Sequence, residues 1–299
     1  MPTLCHRPRD RRAFLHVAGL SGAALVASAF RRDTPASASG RELHLALLSD
    51  THVPADRVNG HRGMSPWENL RVAAAQVAAA RPEGVVICGD VARLEGRVED
   101  YQELKALLAP VAAVSPVYVA LGNHDDRASF RKAFADTPGA HAPVDGRHVS
   151  VIEHEAVRVL VLDSLLYVNE VAGLLGKTQR AWLAAYLPTM ADRPAVLFVH
   201  HPPSDEDGDL LDGDRLFAIA RANRHVRAIF HGHAHVWALG RRDRLHVVSL
   251  PALGYNFSDA QPVGWVEARF RPDGVSLTLR ALAGNRADDG QTSFLEWPR

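Results

Sequence analysis

The segment FHGHAHVW, residues 230–237, places three histidines at alternate positions, with one glycine and one alanine between them: His231, His233 and His235. It follows directly on the apolar run VRAIF. A single histidine at a strand end is usually a polar residue with ordinary hydrogen bonds. Neutral imidazole is also the commonest side-chain metal ligand, and glycine lets a backbone approach a ligand closely. Three histidines so close together therefore favour a metal site, whose other ligands must come from elsewhere in the chain.

Four more apolar segments that have the pattern of buried strands also end in Asp, Asn or His. The five strand ends are Asp50-Thr51-His52, Gly89-Asp90, Gly122-Asn123-His124-Asp125, His200-His201 and Gly232-His233-Ala234-His235. One such aspartate is typical of a helix N-cap, and GNHD alone is typical of a turn. In open α/β sheets, however, ligands bind at the carboxyl ends of the strands. Five polar ends in the same structural position favour one shared binding site.

The order of predicted elements defines the fold class. Apolar strand-like runs alternate with helix-like segments from residue 43 to about residue 235, which indicates parallel βαβ units. A predicted hairpin within residues 147–164 and a β-rich C-terminal part indicate a second sheet. We therefore predict an α/β fold with two facing mixed β-sheets flanked by helices, a four-layer α/β/β/α sandwich. It would form one domain over residues 41–299.

The first 40 residues have the composition of an export signal. Basic residues precede a mildly apolar stretch, and Ala36-Ser37-Ala38 offers a cleavage site. The apolar run 17–30 is short for a bilayer span, which needs about 20 residues. The segment Arg11-Arg12-Ala13-Phe14-Leu15 resembles a twin-arginine signal. We predict that residues 1–40 are recognised by the twin-arginine export machinery and cleaved after Ala38, which gives a periplasmic or secreted protein. The alternative is an uncleaved membrane anchor.

Composition restricts the partners and the role of cysteine. The chain of 299 residues has 34 basic and 34 acidic side chains, so we expect no stable nucleic-acid partner. A homo-oligomer is left open. Hydrophobic residues make up 47% of the chain, enough for a sizeable core. Cys5 lies in the predicted signal, so Cys88 has no partner for an intramolecular disulfide. We interpret Cys88 as a small buried hydrophobic residue.

The donor atoms of the five strand ends indicate the kind of metal site. Asp, Asn and His supply oxygen and nitrogen without thiolate, which suits Zn, Mn, Fe or Co. Seven candidate ligands exceed the need of one tetrahedral ion. They suit two divalent or transition-metal ions about 3.5–4 Å apart, which stabilise the attacking and leaving oxygens of an in-line displacement. This chemistry predicts hydrolysis of a phosphate ester.

The motifs DTH, GD, GNHD, VHHPP and GHAH resemble, in this order, those of the calcineurin-like metallophosphoesterases. The HHPP form is most similar to the bacterial cyclic-nucleotide and glycerophosphodiester phosphodiesterase branch. The resemblance implies that one metal is held by Asp50, His52 and His235, and the other by Asn123, His200 and His233. It further implies that Asp90 bridges the two metals. His124 would be the catalytic residue that faces the substrate and stabilises or protonates the leaving oxygen.

One position departs from the family pattern. Many members have an acidic residue three positions after the bridging aspartate, where this chain has Arg93. Either another carboxylate, such as Asp125 or Asp126, orients His124, or Arg93 contacts the substrate phosphate. His201 either supports the metal site or is a polar residue fixed by the two prolines that follow it. We interpret His231 as a residue that packs at the strand end or against a ligand.

The sequence thus predicts an exported binuclear metal-dependent hydrolase of phosphate esters with a metal-bound hydroxide as nucleophile. A small-molecule phosphodiester is the favoured substrate. A phosphomonoesterase of the same fold, or a metal- or phosphate-binding protein without turnover, are the alternatives. His61, Trp67 and Trp237 follow the ligand strands, so each either lines a substrate pocket or packs at the surface.

Overall fold

Two β-sheets face each other, and helices cover both outer surfaces. The computed structural model describes residues 42–134, 141–142, 144–190 and 193–298. The predicted export signal lies outside the described residues. Within these ranges, no helix has both the length and the apolar character needed to cross a membrane.

The described residues contain thirteen strands and five α-helices. In chain order, the strands are β1 (Leu43–Leu48), β2 (Gly84–Cys88), β3 (Val117–Ala120), β4 (His141–Ala142), β5 (Val149–Glu153), β6 (Arg158–Val161), β7 (Ala195–Phe198), β8 (Val226–His231), β9 (Ala238–Arg242), β10 (Leu245–Ser249), β11 (Pro262–Arg271), β12 (Gly274–Gly284) and β13 (Thr292–Glu296). The helices are α1 (Pro66–Ala80), α2 (Val98–Ala112), α3 (Arg127–Ala133), α4 (Gly176–Tyr186), which continues into a 3₁₀ turn at Leu187–Met190, and α5 (Gly213–Ala222).

Both sheets are mixed. The first has the strand order β13-β12-β11-β1-β2-β3. The pairs β1–β2 and β2–β3 are parallel, and the pairs β1–β11, β11–β12 and β12–β13 are antiparallel. The second has the order β4-β5-β6-β7-β8-β10-β9, in which β6, β7, β8 and β10 are parallel. The central strands are buried on both faces, which is why β2 has the uninterrupted apolar sequence GVVIC.

Three apolar layers hold the sandwich together. The inner faces of the two sheets form the middle layer, where the rings of Phe198 and Phe230 stack 4.7 Å apart. A second layer lies between the first sheet and α1–α3, and a third between the second sheet and α4 and α5. The predicted four-layer α/β/β/α sandwich is confirmed.

The packing brings the carboxyl ends of the parallel strands of both sheets to one edge. Across the gap between the sheets, the backbone N–H of His233 donates to both carboxylate oxygens of Asp50 at 3.1 Å. Arg127, at the start of α3, forms a bidentate ion pair with buried Asp163 after β6, at 2.7 and 2.8 Å. These contacts fix the loops after the strands of one sheet against those of the other.

Candidate metal centre

Most of the predicted ligands have a backbone conformation that is rare for residues with a side chain. Left-handed φ angles of 45–66° occur at Asp50, His52, Asp90, His233 and His235. Such a conformation costs a non-glycine residue on the order of 1–3 kcal/mol. Backbone hydrogen bonds maintain it: the His52 N–H donates to the carbonyl of Asp90 at 3.0 Å. The strain is concentrated where five side chains have to point into the same small space.

Two motif glycines permit this crowding. A Cβ atom on Gly232 would overlap the Ser49 hydroxyl and a carboxylate oxygen of Asp50. A Cβ atom on Gly122 would overlap a carboxylate oxygen of Asp90 and the ring of His200. Gly232 is therefore required because Ser49 and Asp50, at the end of β1, approach its backbone closely.

The first group of ligands consists of Asp50, His52 and His235. The Nδ1 atoms of the two histidines contact backbone carbonyls, His52 that of Arg93 at 3.3 Å and His235 that of Tyr255 at 2.6 Å. Because a carbonyl only accepts, each Nδ1 carries a proton. The two Nε2 atoms face each other at 3.2 Å, and Asp50 Oδ1 lies 3.4 Å from that of His235. This arrangement fits a cation between the three side chains.

The second group contains His200, His233 and Asn123. His200 Nδ1 donates to the carbonyl of Cys88 at 2.7 Å, so its Nε2 faces the site. Asn123 is 2% exposed, and its side-chain oxygen has no hydrogen-bond partner among the described residues. A buried polar atom without a partner is costly. A metal ion would satisfy it together with the imidazole nitrogens.

Ionisation in this cluster depends on burial and on the two carboxylates. Burial lowers the pKa of His52 to about 3 and that of His233 to about 4, so both rings are neutral. Burial also opposes charge on His200, but Asp90 and Asp50 raise its pKa to about 9. The protein thus favours a positive charge beside these carboxylates, which a metal ion would supply in place of the proton.

Asp90 lies between the two groups. Its Oδ2 is 3.2 Å from His200 Nε2 and 3.9 Å from His52 Nε2, and its Oδ1 accepts the backbone N–H of His124 at 2.8 Å. Asp50 Oδ1 also contacts histidines of both groups, at 3.4 Å from His235 Nε2 and 4.0 Å from His200 Nε2, so Asp90 is one of two predicted ligands in such a position. This position is the one a bridging carboxylate requires.

His201 lies next to the second group of ligands. The residue is fully buried; Nδ1 contacts the Ser164 hydroxyl at 2.7 Å, and Nε2 has no hydrogen-bond partner among the described residues. One ring nitrogen each from His200, His201 and His233 lie within 4.8 Å of one another. His201 therefore lies within the histidine cluster, next to the second group of ligands. His231 is also buried but belongs to none of the clusters that could bind a metal.

His124 is half-buried at the edge of the cluster. Its Nδ1 lies 2.9 Å from the carbonyl oxygen of Leu94 and 2.9 Å from the side-chain oxygen of Asn169. Asp125 instead accepts the N–H groups of Gly122 and Ala92, and Asp126 caps α3. The hypothesis that one of these two carboxylates orients His124 is therefore wrong, because both are occupied by the backbone.

Arg93 lies on the side of the first ligand group. Its side chain contacts Asn59, with Nε 3.4 Å from the side-chain oxygen, and its guanidinium carbon is 5.7 Å from the ring centre of Tyr255. A contact between Arg93 and the substrate phosphate stays a prediction. The ring of His61 packs on Tyr255 at 4.4 Å. Trp67 and Trp237 pack against apolar cores and are packing residues.

Two residues of the site were not predicted from the sequence. Tyr255 is 4% exposed, and its ring contacts His52 and His235; burial raises its pKa to about 12. Asn169 contacts His124. Both follow parallel strands, β10 and β6, whose ends have no metal-ligand motif. The rule that sites form at the carboxyl ends of parallel strands could have found them. Cys88 is buried, as predicted, and burial raises the pKa of its thiol.

Comparison with known proteins defines the family. Residues 43–237 match the model of the calcineurin-like phosphoesterases, and the chain belongs to this family. It is 34% identical over 201 residues to a probable cyclic nucleotide phosphodiesterase of Rhodococcus erythropolis, with 64% of each chain covered. This match spans just under two thirds of the relative's length.

Two further proteins support the assignment. The chain is 30% identical over 233 residues to the glycerophosphodiester phosphodiesterase GpdQ of Enterobacter lignolyticus, with 73% of this chain and 81% of the relative covered. Among solved structures, a dimetal phosphatase from Danio rerio superposes with a TM-score of 0.67 at 14% identity, over 86% of this chain and 99% of that one. The second comparison concerns the fold alone.

The position of Asp90 generates a prediction about metal content. The purified wild-type protein should hold about two transition-metal ions per chain, as a binuclear site requires. Asp90→Ala should lose both ions because Asp90 contacts both ligand groups, whereas His235→Ala should mainly weaken one. Elemental analysis measures this directly. His231→Gln is the matched control, because His231 is a buried histidine of the same segment and should not affect metal content. Full metal content in Asp90→Ala would contradict the bridging position.

Proposed function

We propose that the protein is a binuclear metal-dependent hydrolase of phosphate esters and that its substrates are small-molecule phosphodiesters. The observation that carries the proposal is the position of Asp90 between two groups of imidazoles, with His124 directly beside it. Two ions held there would supply the positive charge and the activated water that displacement at phosphorus needs. The oxygen and nitrogen donors suit Fe, Mn, Zn or Co.

Each residue of the site has its own proposed role. Asp50, His52 and His235 would hold one ion, and Asn123, His200 and His233 the other, with Asp90 shared. His124 uses Nδ1 for its two oxygen partners, so Nε2 is the nitrogen free to face a departing oxygen. Arg93, half-buried beside Tyr255, would contact a phosphate oxygen.

The relatives favour diesters over monoesters. Those reported above are a probable cyclic nucleotide phosphodiesterase and a glycerophosphodiester phosphodiesterase. A role as a binding protein without turnover would leave the fixed ring of His124 unexplained, because that ring is not needed to complete either group of ligands. A phosphomonoesterase remains the alternative that an assay has to separate.

A comparison of leaving groups tests this function. A panel of mono-, di- and cyclic esters assayed with Mn, Zn, Fe and Co should show metal-dependent cleavage of diesters. A positioned acid typically contributes about 10²–10⁴-fold. His124→Ala should therefore lose activity of this order on alkyl diesters, whose leaving oxygen is strongly basic. Nitrophenyl diesters should lose far less, because nitrophenolate departs without a proton.

Metal content has to be measured in both enzymes so that loss of ions is not mistaken for loss of the acid. An equal loss of activity on both kinds of diester would show that His124 does not transfer the proton and instead stabilises the charge of the phosphate group. Faster cleavage of monoesters than of diesters across the panel would instead favour the phosphomonoesterase.

We further propose that the protein is exported through the twin-arginine machinery to the periplasm or beyond. The support is the arginine pair followed by an apolar stretch and a small-residue cleavage site. Replacing both arginines, Arg11→Lys with Arg12→Lys, should leave the precursor in the cytoplasm. Cell fractionation followed by immunoblotting measures this. Mature protein that still appears outside the cytoplasmic membrane would exclude this route.

A further inference from the structure

One side chain that contacts His124 Nδ1 is neutral and lies 45 residues away in the sequence. We propose that Asn169 is the positioning residue of His124: its side-chain oxygen fixes the imidazole so that Nε2 faces the reacting oxygen. The inference rests on the proposed function for its catalytic consequence, but the positioning itself is a statement about geometry. Asn169 lies in the loop between β6 and α4, which belongs to the second sheet, whereas His124 follows β3 of the first.

The hydrogen bonds determine which nitrogen of His124 carries the proton. Leu94 presents a backbone carbonyl oxygen to Nδ1 at 2.9 Å, and a carbonyl cannot donate. Nδ1 is therefore protonated and shared between Leu94 and Asn169, whose amide oxygen is also 2.9 Å away. This also fixes the amide of Asn169 with its oxygen toward the ring. Two acceptors on one N–H prevent the ring from turning, and Nε2 is left for the site.

The backbone of Asn169 is built for this contact. Its φ angle is 60°, a left-handed conformation that asparagine adopts more readily than most residues with a side chain. Its N–H donates to the carbonyl of Asn123 at 2.7 Å. Asn169 therefore contacts two adjacent residues of the GNHD motif, the backbone of Asn123 and the ring of His124.

The rest of the loop shows that its position depends on polar contacts. Tyr167 and Val171, on either side of Asn169, are 72% and 55% exposed. Their exposure means that apolar burial does little to place the loop here. Besides Asn169, backbone hydrogen bonds hold the loop: the N–H of Leu174 donates to the carbonyl of Ser164 at 2.8 Å, and the N–H of Gly173 donates to the carbonyl of Asp209 at 3.0 Å. A neutral amide also orients the ring without adding negative charge beside two buried carboxylates, Asp50 and Asp90.

Three variants distinguish the effect of the Asn169 side-chain oxygen from the effect of the loop backbone. Asn169→Gly removes the side chain but tolerates the left-handed backbone, so the hydrogen bond to Asn123 can persist. Asn169→Asp keeps an oxygen acceptor of the same reach and also tolerates this conformation. Glu170→Ala changes the neighbouring exposed residue of the same loop and serves as the control. All three should retain the metal content of the wild type.

The first readout needs no activity. In zinc-loaded protein with ¹⁵N-labelled histidine, the Nδ1–H signal of His124, assigned by its absence in His124→Gln, should be protected from exchange with water. Asn169→Gly should lose much of this protection, and Asn169→Asp and Glu170→Ala should keep it. Unchanged protection in Asn169→Gly would overturn the proposal, whatever the enzyme hydrolyses.

The second readout is the ratio of kcat on alkyl diesters to kcat on nitrophenyl diesters. This ratio should fall about tenfold in Asn169→Gly, a part of the effect of losing the acid altogether, because the Leu94 carbonyl remains. It should recover in Asn169→Asp. A ratio equal to that of the wild type, or no recovery in Asn169→Asp, would show that the oxygen of Asn169 does not position His124. Absence of any hydrolysis by the wild type would count against the proposed function and leave the NMR result to decide the positioning.

Discussion

The structure depends on one electrostatic constraint: the carboxylates of Asp50 and Asp90 are buried together, within 4 Å of several imidazole nitrogens. Burying a carboxylate is expensive unless an opposite charge is close. The Nε2 atoms of His52 and His235, 3.2 Å apart, repel each other when both rings are neutral. Positive charge placed between these groups removes both penalties at once. The left-handed backbone at five ligands and the glycines at 122 and 232 bring the groups close enough to share that charge.

Much of this could be predicted from the sequence because parallel strands place their ends along one edge. The apolar runs of β1, β2, β3, β7 and β8 end in the ligand motifs, and the structure brings those ends together. The exposed edge strand β9 escaped prediction because all five of its residues are exposed and no alternation is present. Asn169 and Tyr255 escaped because they lie several residues beyond the ends of β6 and β10, and neither strand ends in one of the ligand motifs. The contact between Asn169 and His124 could not be deduced, since Asn169 lies in a loop of the other sheet.

The family relationship and the details of this chain answer different questions. Family membership accounts for the metal ligands and for the phosphoester chemistry that we propose. Around His124, neutral oxygens of Leu94 and Asn169 contact the ring, and the arginine at position 93 lies beside Tyr255. In the proposed arrangement these neutral oxygens orient the ring without an acidic partner, and a loop of the opposite sheet supplies one of them. His201 adds a further buried ring nitrogen next to the second ligand group.

The central claim is that this cluster holds two ions that share Asp90. Crystals of the protein loaded with Mn or Zn, measured on both sides of the metal's absorption edge, test it most directly. The account predicts two anomalous peaks about 3.5–4 Å apart. One should lie among Asp50, His52 and His235, the other among Asn123, His200 and His233, with Asp90 between them. A single peak, or a pair of peaks that Asp90 does not join, would contradict it.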